Sequence, residues 1–80
     1  MFINKAQDGK NNICGRNIAM LRKELKISQR KLADRLQLIG LDIDKNAVQR
    51  IESGQRFVTD IELLYFSEVM NTSVEALLKR

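Results

Sequence analysis

Five small polar residues punctuate this chain: Asn12, Ser28, Asp44, Thr59 and Ser73. Each precedes a short stretch whose apolar residues recur at helical spacing. Each also carries a side-chain oxygen that accepts a hydrogen bond from the unpaired N–H groups opening a helix. A chain cut up in this way is predicted to be all-α, with five short helices joined by short links. Proline is absent and only 4 glycines occur, so little interrupts the helices and a strand-rich fold would lack turn residues.

Predicted helix 1 covers 13–26, with Asn12 as its cap. Cys14, Ile18, Leu21 and Leu25 fall on one stripe. Helix 2 follows Ser28 and turns Leu32, Ala33 and Leu36 inward. Three residues after Ser28, where a capping box wants an acid, stands Lys31. With Arg30 it makes the first turn basic, against the helix dipole. The segment 37–43 is the least regular, and Gly40 reads as a helix stop. Helix 3 is short, 45–53, opened by Asp44 and closed by Gly54, with Val48 and Ile51 inward. Thr59 and Glu62 form a T-x-x-E capping box for helix 4, which ends near Asn71. Ser73 opens helix 5, where Val74, Leu77 and Leu78 make an i, i+3, i+4 patch.

Residues 1–12 show no sustained periodicity and read as a flexible N-terminal arm, which leaves 13–80 as one domain. A chain of this size buries about 60–65% of its unfolded surface, enough for one modest core and no separate sensor.

Several functional classes are excluded. There is no histidine, which removes the commonest general base and metal ligand. One cysteine builds neither a disulfide nor a zinc site. No Gly-rich phosphate loop, nucleophile elbow or HExxH occurs. Asp42 and Asp44 alone are too little for a cation site. No enzyme, metal or cofactor is expected. Cys14 lies on the apolar stripe of helix 1 and reads as a buried structural thiol. No apolar run approaches the ~20 residues of a membrane span, and the start of the chain lacks the apolar stretch of a signal peptide. The expected location is the cytoplasm, with no membrane partner. Tryptophan is absent and aromatics are 5%, which argues against binding single strands by base stacking.

Charge fits an anionic partner, but an excess of lysine also simply keeps a protein soluble, and taken alone it decides little. The net charge is +4 and the pI about 9.6, above the value of about 9 that marks many nucleic-acid-binding domains. Residues 1–56 hold 12 Lys and Arg against 6 Asp and Glu, whereas 57–80 hold 2 against 4. One part of the chain suits an anionic partner and the other does not. On the helical wheel, Lys45, Asn46, Gln49 and Arg50 of helix 3 share the face opposite Val48 and Ile51. Cations and amides are the groups that read guanine and adenine edges in a major groove. A solvated helix face has the same composition, so chemistry alone leaves both readings open.

Four pieces of sequence, taken in order, narrow the choice. They are Ile18, Leu21 and Arg22; Ser28, Gln29, Leu32 and Ala33; Ile51, Glu52 and Gly54; and Ser73, Val74, Leu77 and Leu78. With these, 13–80 resembles the Cro/C1-type (XRE) helix-turn-helix family of phage and bacterial regulators. The resemblance implies a five-helix lambda-repressor-like fold and a sequence-specific, double-stranded-DNA-binding transcription regulator, a repressor. It implies that Gln29 anchors a phosphate and that Lys45, Asn46, Gln49 and Arg50 sit at base-reading positions. It also implies that Arg22 and Glu52 pair, placing the arginine near the DNA backbone and tying helix 1 to helix 3. Lys23, Lys26, Arg30, Lys31 and Arg56 are further candidates for backbone contact. Two departures stand out. Lys31 replaces the capping acid, and the stretch Leu38 to Asp42 lengthens the link between helices 2 and 3, leaving their angle open.

Helix 4 is apolar all round: Ile61, Leu63, Leu64, Tyr65, Phe66, Val69 and Met70 leave no polar face. A homodimer that buries Tyr65, Phe66 and Val69 would account for this, as would the first residues or helix 5 folding over it. The rival reading of the chain is an antitoxin-like or antagonist module of the same fold that binds a protein partner. Structured RNA is a third possibility.

Overall fold

The computed structural model describes residues 9–80. Its elements are α1 (Cys14–Glu24), α2 (Gln29–Leu38), α3 (Lys45–Glu52), α4 (Asp60–Val69) and α5 (Val74–Leu77). Among the described residues there is no strand.

Helix starts follow from local side-chain chemistry. The side chains of Ser28, Asp44 and Ser73 accept from the N–H groups of Lys31, Ala47 and Ala76 at 3.0, 2.8 and 3.0 Å. Thr59 and Glu62 form the reciprocal box: Thr59 Oγ1 accepts from Glu62 N at 3.1 Å, and Glu62 Oε1 accepts from Thr59 N at 2.9 Å. Asn12 acts one residue earlier than the residue flanking α1, its Oδ1 accepting from Gly15 N at 2.9 Å.

Helix ends use one device four times. The residue after the C-cap takes a left-handed backbone at Lys26 (φ 58), Gly40 (φ 105), Gly54 (φ 85) and Asn71 (φ 51). The following N–H then reaches back to the carbonyl of the third-last helical residue: Ile27 to Arg22, Leu41 to Leu36, Gln55 to Arg50, and Thr72 to Ser67. Helix 1 therefore ends at Glu24 and not near residue 26. Leu25, assigned from sequence to the buried stripe, is 44% exposed. The left-handed conformation costs a lysine about 1 kcal/mol that it does not cost glycine. Lys26→Gly is expected to raise stability by about 0.5–1 kcal/mol, read as a higher urea midpoint with an unchanged slope.

The core gathers Ile18 of α1, Leu32 and Leu36 of α2, Val48 and Ile51 of α3, Phe66 of α4 and Leu77 of α5, all fully buried. The lengthened link is held down, because Ile43 is buried, Leu41 packs on the core, and Gln37 Nε2 donates to Ile43 O at 2.7 Å. In α4 and its C-cap, only Phe66 and Met70 are buried. Leu63, Tyr65 and Val69 lie half-buried against the core, while Ile61 and Leu64 are exposed. This corrects the sequence assignment of Phe66 to a dimer surface: its side chain fills the centre of the domain and reaches no surface. At the end of α5, Leu78 is likewise exposed where a buried patch was expected.

The arm assigned to 1–12 falls mostly outside the described residues. Its last two residues are tied down. Asn11 N donates to Gly54 O at 2.8 Å, and Asn11 Nδ2 donates to Gln55 O at 2.8 Å. Asn12 Nδ2 donates to Ile51 O at 3.0 Å and to Arg56 O at 2.7 Å. The start of α1 is thus sewn to the end of α3 and the loop after it.

Candidate nucleic-acid interface

An α3 of eight residues divides cleanly. Ala47, Val48 and Ile51 are buried, and Lys45, Asn46, Gln49 and Arg50 are all exposed. The inward residues pin the helix, so the outward four are presented from a rigid element with side chains unoccupied by the core. Two cations and two amides on one such face can donate to the purine edges of a major groove and also accept from them.

What fixes α3 against its neighbours is a carboxylate shared by three helices. Arg22 of α1 donates from Nε to Glu52 Oε2 at 2.6 Å and from Nη2 to Glu52 Oε1 at 3.1 Å. Its Nη1 donates to Ile27 O at 2.9 Å, closing the α1–α2 link. Gln29, the first residue of α2, donates from Nε2 to Glu52 Oε1 at 3.0 Å. The Glu52 side chain is only 8% exposed and that of Arg22 13%, so the pair is largely removed from water and each charge depends on the other. All three guanidinium nitrogens of Arg22 have protein partners. The arginine assigned from sequence to the DNA backbone is thereby organised first of all as a tie between helices.

Arg56, another sequence candidate for the backbone, is similarly engaged. Its Nη2 donates to Glu62 Oε2 at 3.0 Å, fastening the α3–α4 loop to the first turn of α4. Burial opposes ionisation of Glu62, but the Thr59 N–H and the Arg56 guanidinium outweigh it and hold the carboxyl below its usual range. Lys23, Lys26, Arg30 and Lys31 are exposed around the end of α1 and the start of α2. Cys14 is buried, and desolvation pushes its thiol up to about 11, so it stays protonated at neutral pH. Among the described residues no group of His, Cys, Asp or Glu could hold a metal, and no helix is long and apolar enough to cross a membrane.

Sequence reasoning missed Gly15. A Cβ there would overlap the Ile51 carbonyl oxygen and come within 2.7 Å of Asn12 Oδ1. Only glycine lets α1 lie this close to the end of α3. The signal was present: a lone glycine inside a helical stripe usually has a packing reason. The clasp made by Asn12 had no such signal, because its partners lie 39 and 44 residues away.

Comparison with known proteins places the whole arrangement. A helix-turn-helix family model matches residues 18–77. The fold is similar to that of the restriction-modification controller protein C.AhdI from Aeromonas hydrophila. That match has 25% identity, a TM-score of 0.69, and covers 80% of this chain and 86% of that one. It is also similar to the P22 c2 repressor, solved in complex with synthetic operator 9T in the presence of Tl+. There the identity is 26% and the TM-score 0.71, with 85% of this chain and 96% of that one covered. No curated protein matches in sequence. The chain belongs to the Cro/C1-type (XRE) helix-turn-helix family of DNA-binding transcription regulators.

Proposed function

We propose that this chain is a sequence-specific repressor that occupies a double-stranded operator in the cytoplasm, reading the major groove with α3. One observation carries the proposal: Lys45, Asn46, Gln49 and Arg50 are exposed together on a helix whose opposite face is locked in the core. The side chains that read bases are thus preorganised, and the cations around the start of α2 supply phosphate contacts that set register. The P22 c2 repressor, similar in fold, was solved on operator DNA, which supports a duplex as the ligand. Fluorescence anisotropy with duplex DNA across a salt series tests this. Affinity should fall steeply, with a log–log slope of about −0.9 per phosphate neutralised. Duplex RNA should compete poorly. Flat salt dependence, or preference for RNA, would overturn the proposal.

The active species is a homodimer closed through α4. Phe57, Ile61 and Leu64 are 54, 62 and 63% exposed, a concentration of large apolar side chains that water disfavours. Half-buried Tyr65 and Val69 border this face. A two-fold axis would set two copies of α3 about 34–36 Å apart, on successive turns of the major groove. Leu64→Glu is expected to weaken self-association about tenfold or more in sedimentation equilibrium. If the wild type stays monomeric at high concentration, the dimer is wrong. The face would then favour the second reading, an antitoxin-like module docking another protein.

A further inference from the structure

A helix leaves its last four carbonyls without helical partners, and the loop behind it leaves more. At the end of α3 several of these are taken by two successive asparagines that precede α1. Asn11 N donates to Gly54 O at 2.8 Å, and Asn11 Nδ2 donates to Gln55 O at 2.8 Å. Asn12 uses both amide hydrogens, on Ile51 O at 3.0 Å and on Arg56 O at 2.7 Å, while its Oδ1 accepts from Gly15 N at 2.9 Å. Arg50 stands one bond further on. Its carbonyl accepts from Gln55 N at 2.9 Å, from Arg56 N at 3.2 Å and from Ser53 Oγ at 3.1 Å. The backbone of Arg50 is therefore tied to the two residues whose own carbonyls the asparagines hold. The first turn of α3 is secured separately, by Asp44 Oδ1 accepting from Ala47 N at 2.8 Å and by buried Ile43. Both asparagines lie ahead of residues 18–77, the stretch matched by the helix-turn-helix family model.

We infer that Asn12 is a positioning residue for base reading: it fixes the C-terminal half of α3 and, through it, the aim of Gln49 and Arg50. The inference rests on the proposed reading of DNA by α3. Only Ala47, Val48 and Ile51 of this helix are buried. Apolar burial has no direction, so it sets how deep a short helix lies and leaves it some freedom to roll and slide. Hydrogen bonds weaken steeply with angle, and bonds from α1 to the backbone at the end of α3 remove that freedom. Glu52 holds the same end by its side chain, whereas Asn12 holds the main chain. A bidentate contact to a base edge needs both of its bonds aligned at once. Loosening this end therefore misaligns Gln49 and Arg50, while Lys45 and Asn46 keep the anchorage of the first turn.

The test is the ratio of affinities for a selected duplex and its single-base-pair changes, measured by anisotropy for wild type, Asn12→Ala, Asn12→Ser and Ser73→Ala. Such a ratio does not depend on the folded fraction, which scales every apparent affinity equally. Asn12→Ser keeps an oxygen suited to opening α1 but cannot make the two donations to Ile51 O and Arg56 O. Ser73→Ala removes the cap of α5, which accepts from Ala76 N at 3.0 Å, and so lowers stability without touching the clasp. Gln49→Ala and Arg50→Ala mark the base pairs that those two residues read. At the marked pairs, discrimination should fall about fivefold or more in both Asn12 variants, the low end of what a bidentate contact supplies. All other pairs should keep their wild-type ratios, as should every pair in Ser73→Ala. Unchanged ratios in Asn12→Ser would overturn the inference, and so would a matching loss in Ser73→Ala or a loss spread evenly over all pairs. If Gln49→Ala and Arg50→Ala themselves rank the duplexes as wild type does, the reading of bases by α3 fails, and the inference with it.

Discussion

Gly15→Ala is expected to cost about 3 kcal/mol or more. An added Cβ would overlap the Ile51 carbonyl oxygen. That oxygen cannot swing aside cheaply. It accepts from Gly54 N at 3.0 Å and from Asn12 Nδ2 at 3.0 Å, so moving it loosens the end of α3 and the clasp together. Alanine's better helix propensity returns at most about 1 kcal/mol, well below the cost of overpacking against backbone. A domain of this size has a total stability of roughly 4–12 kcal/mol at about 0.05–0.15 kcal/mol per residue. The melting temperature should therefore fall by about 12 °C or more, at roughly 4–8 °C per kcal/mol. A melt within a few degrees of wild type would mean that α1 and α3 are not packed this closely.

Glu52→Ala should destabilise by about 2–3 kcal/mol. It removes the acceptor for Arg22 and Gln29 at once, and it leaves a mostly buried guanidinium with only the Ile27 carbonyl for a partner. The penalty is that of an unpaired charge kept from water, which exceeds the net contribution of a hydrogen bond. A double-mutant cycle with Arg22→Ala separates the pair from its surroundings. A coupling of about 1–3 kcal/mol is expected for residues in direct contact, and additivity would contradict the shared-carboxylate account. DNA affinity should fall along with stability, because the same carboxylate sets α3 against α2.

These two residues illustrate how far the sequence is legible. Glu52 stands in a family pattern that implies its link to Arg22. The further hydrogen bond from Gln29 has no counterpart in that reading, where the glutamine is given to a phosphate. Caps are legible because they are local: Ser28, Asp44, Thr59 and Ser73 each bond an N–H three residues on. Helix ends at Lys26 and Asn71 are harder to place, because neither is the glycine that usually marks a left-handed residue. Helix 4 cannot be oriented from its sequence. With apolar residues on every side, no stripe distinguishes buried Phe66 from half-buried Tyr65, and packing from α2 and α5 decides. Asn12 reads as a cap, which it is, but nothing local betrays its two bonds to Ile51 O and Arg56 O. The four outward residues of α3 are legible from the wheel because Val48 and Ile51 leave them a single face.

A face that reads base pairs must discriminate between them. A duplex selected from a random pool would be compared by anisotropy with versions changed one base pair at a time, for wild type, Gln49→Ala and Arg50→Ala. Each variant is expected to lose discrimination at one or two positions, with its preferences elsewhere intact. The effect should be about tenfold or more where a bidentate pair worth about 1–3 kcal/mol is removed. Variants that bind more weakly but rank every duplex as wild type does would contradict it, and α3 would then be a phosphate-binding helix.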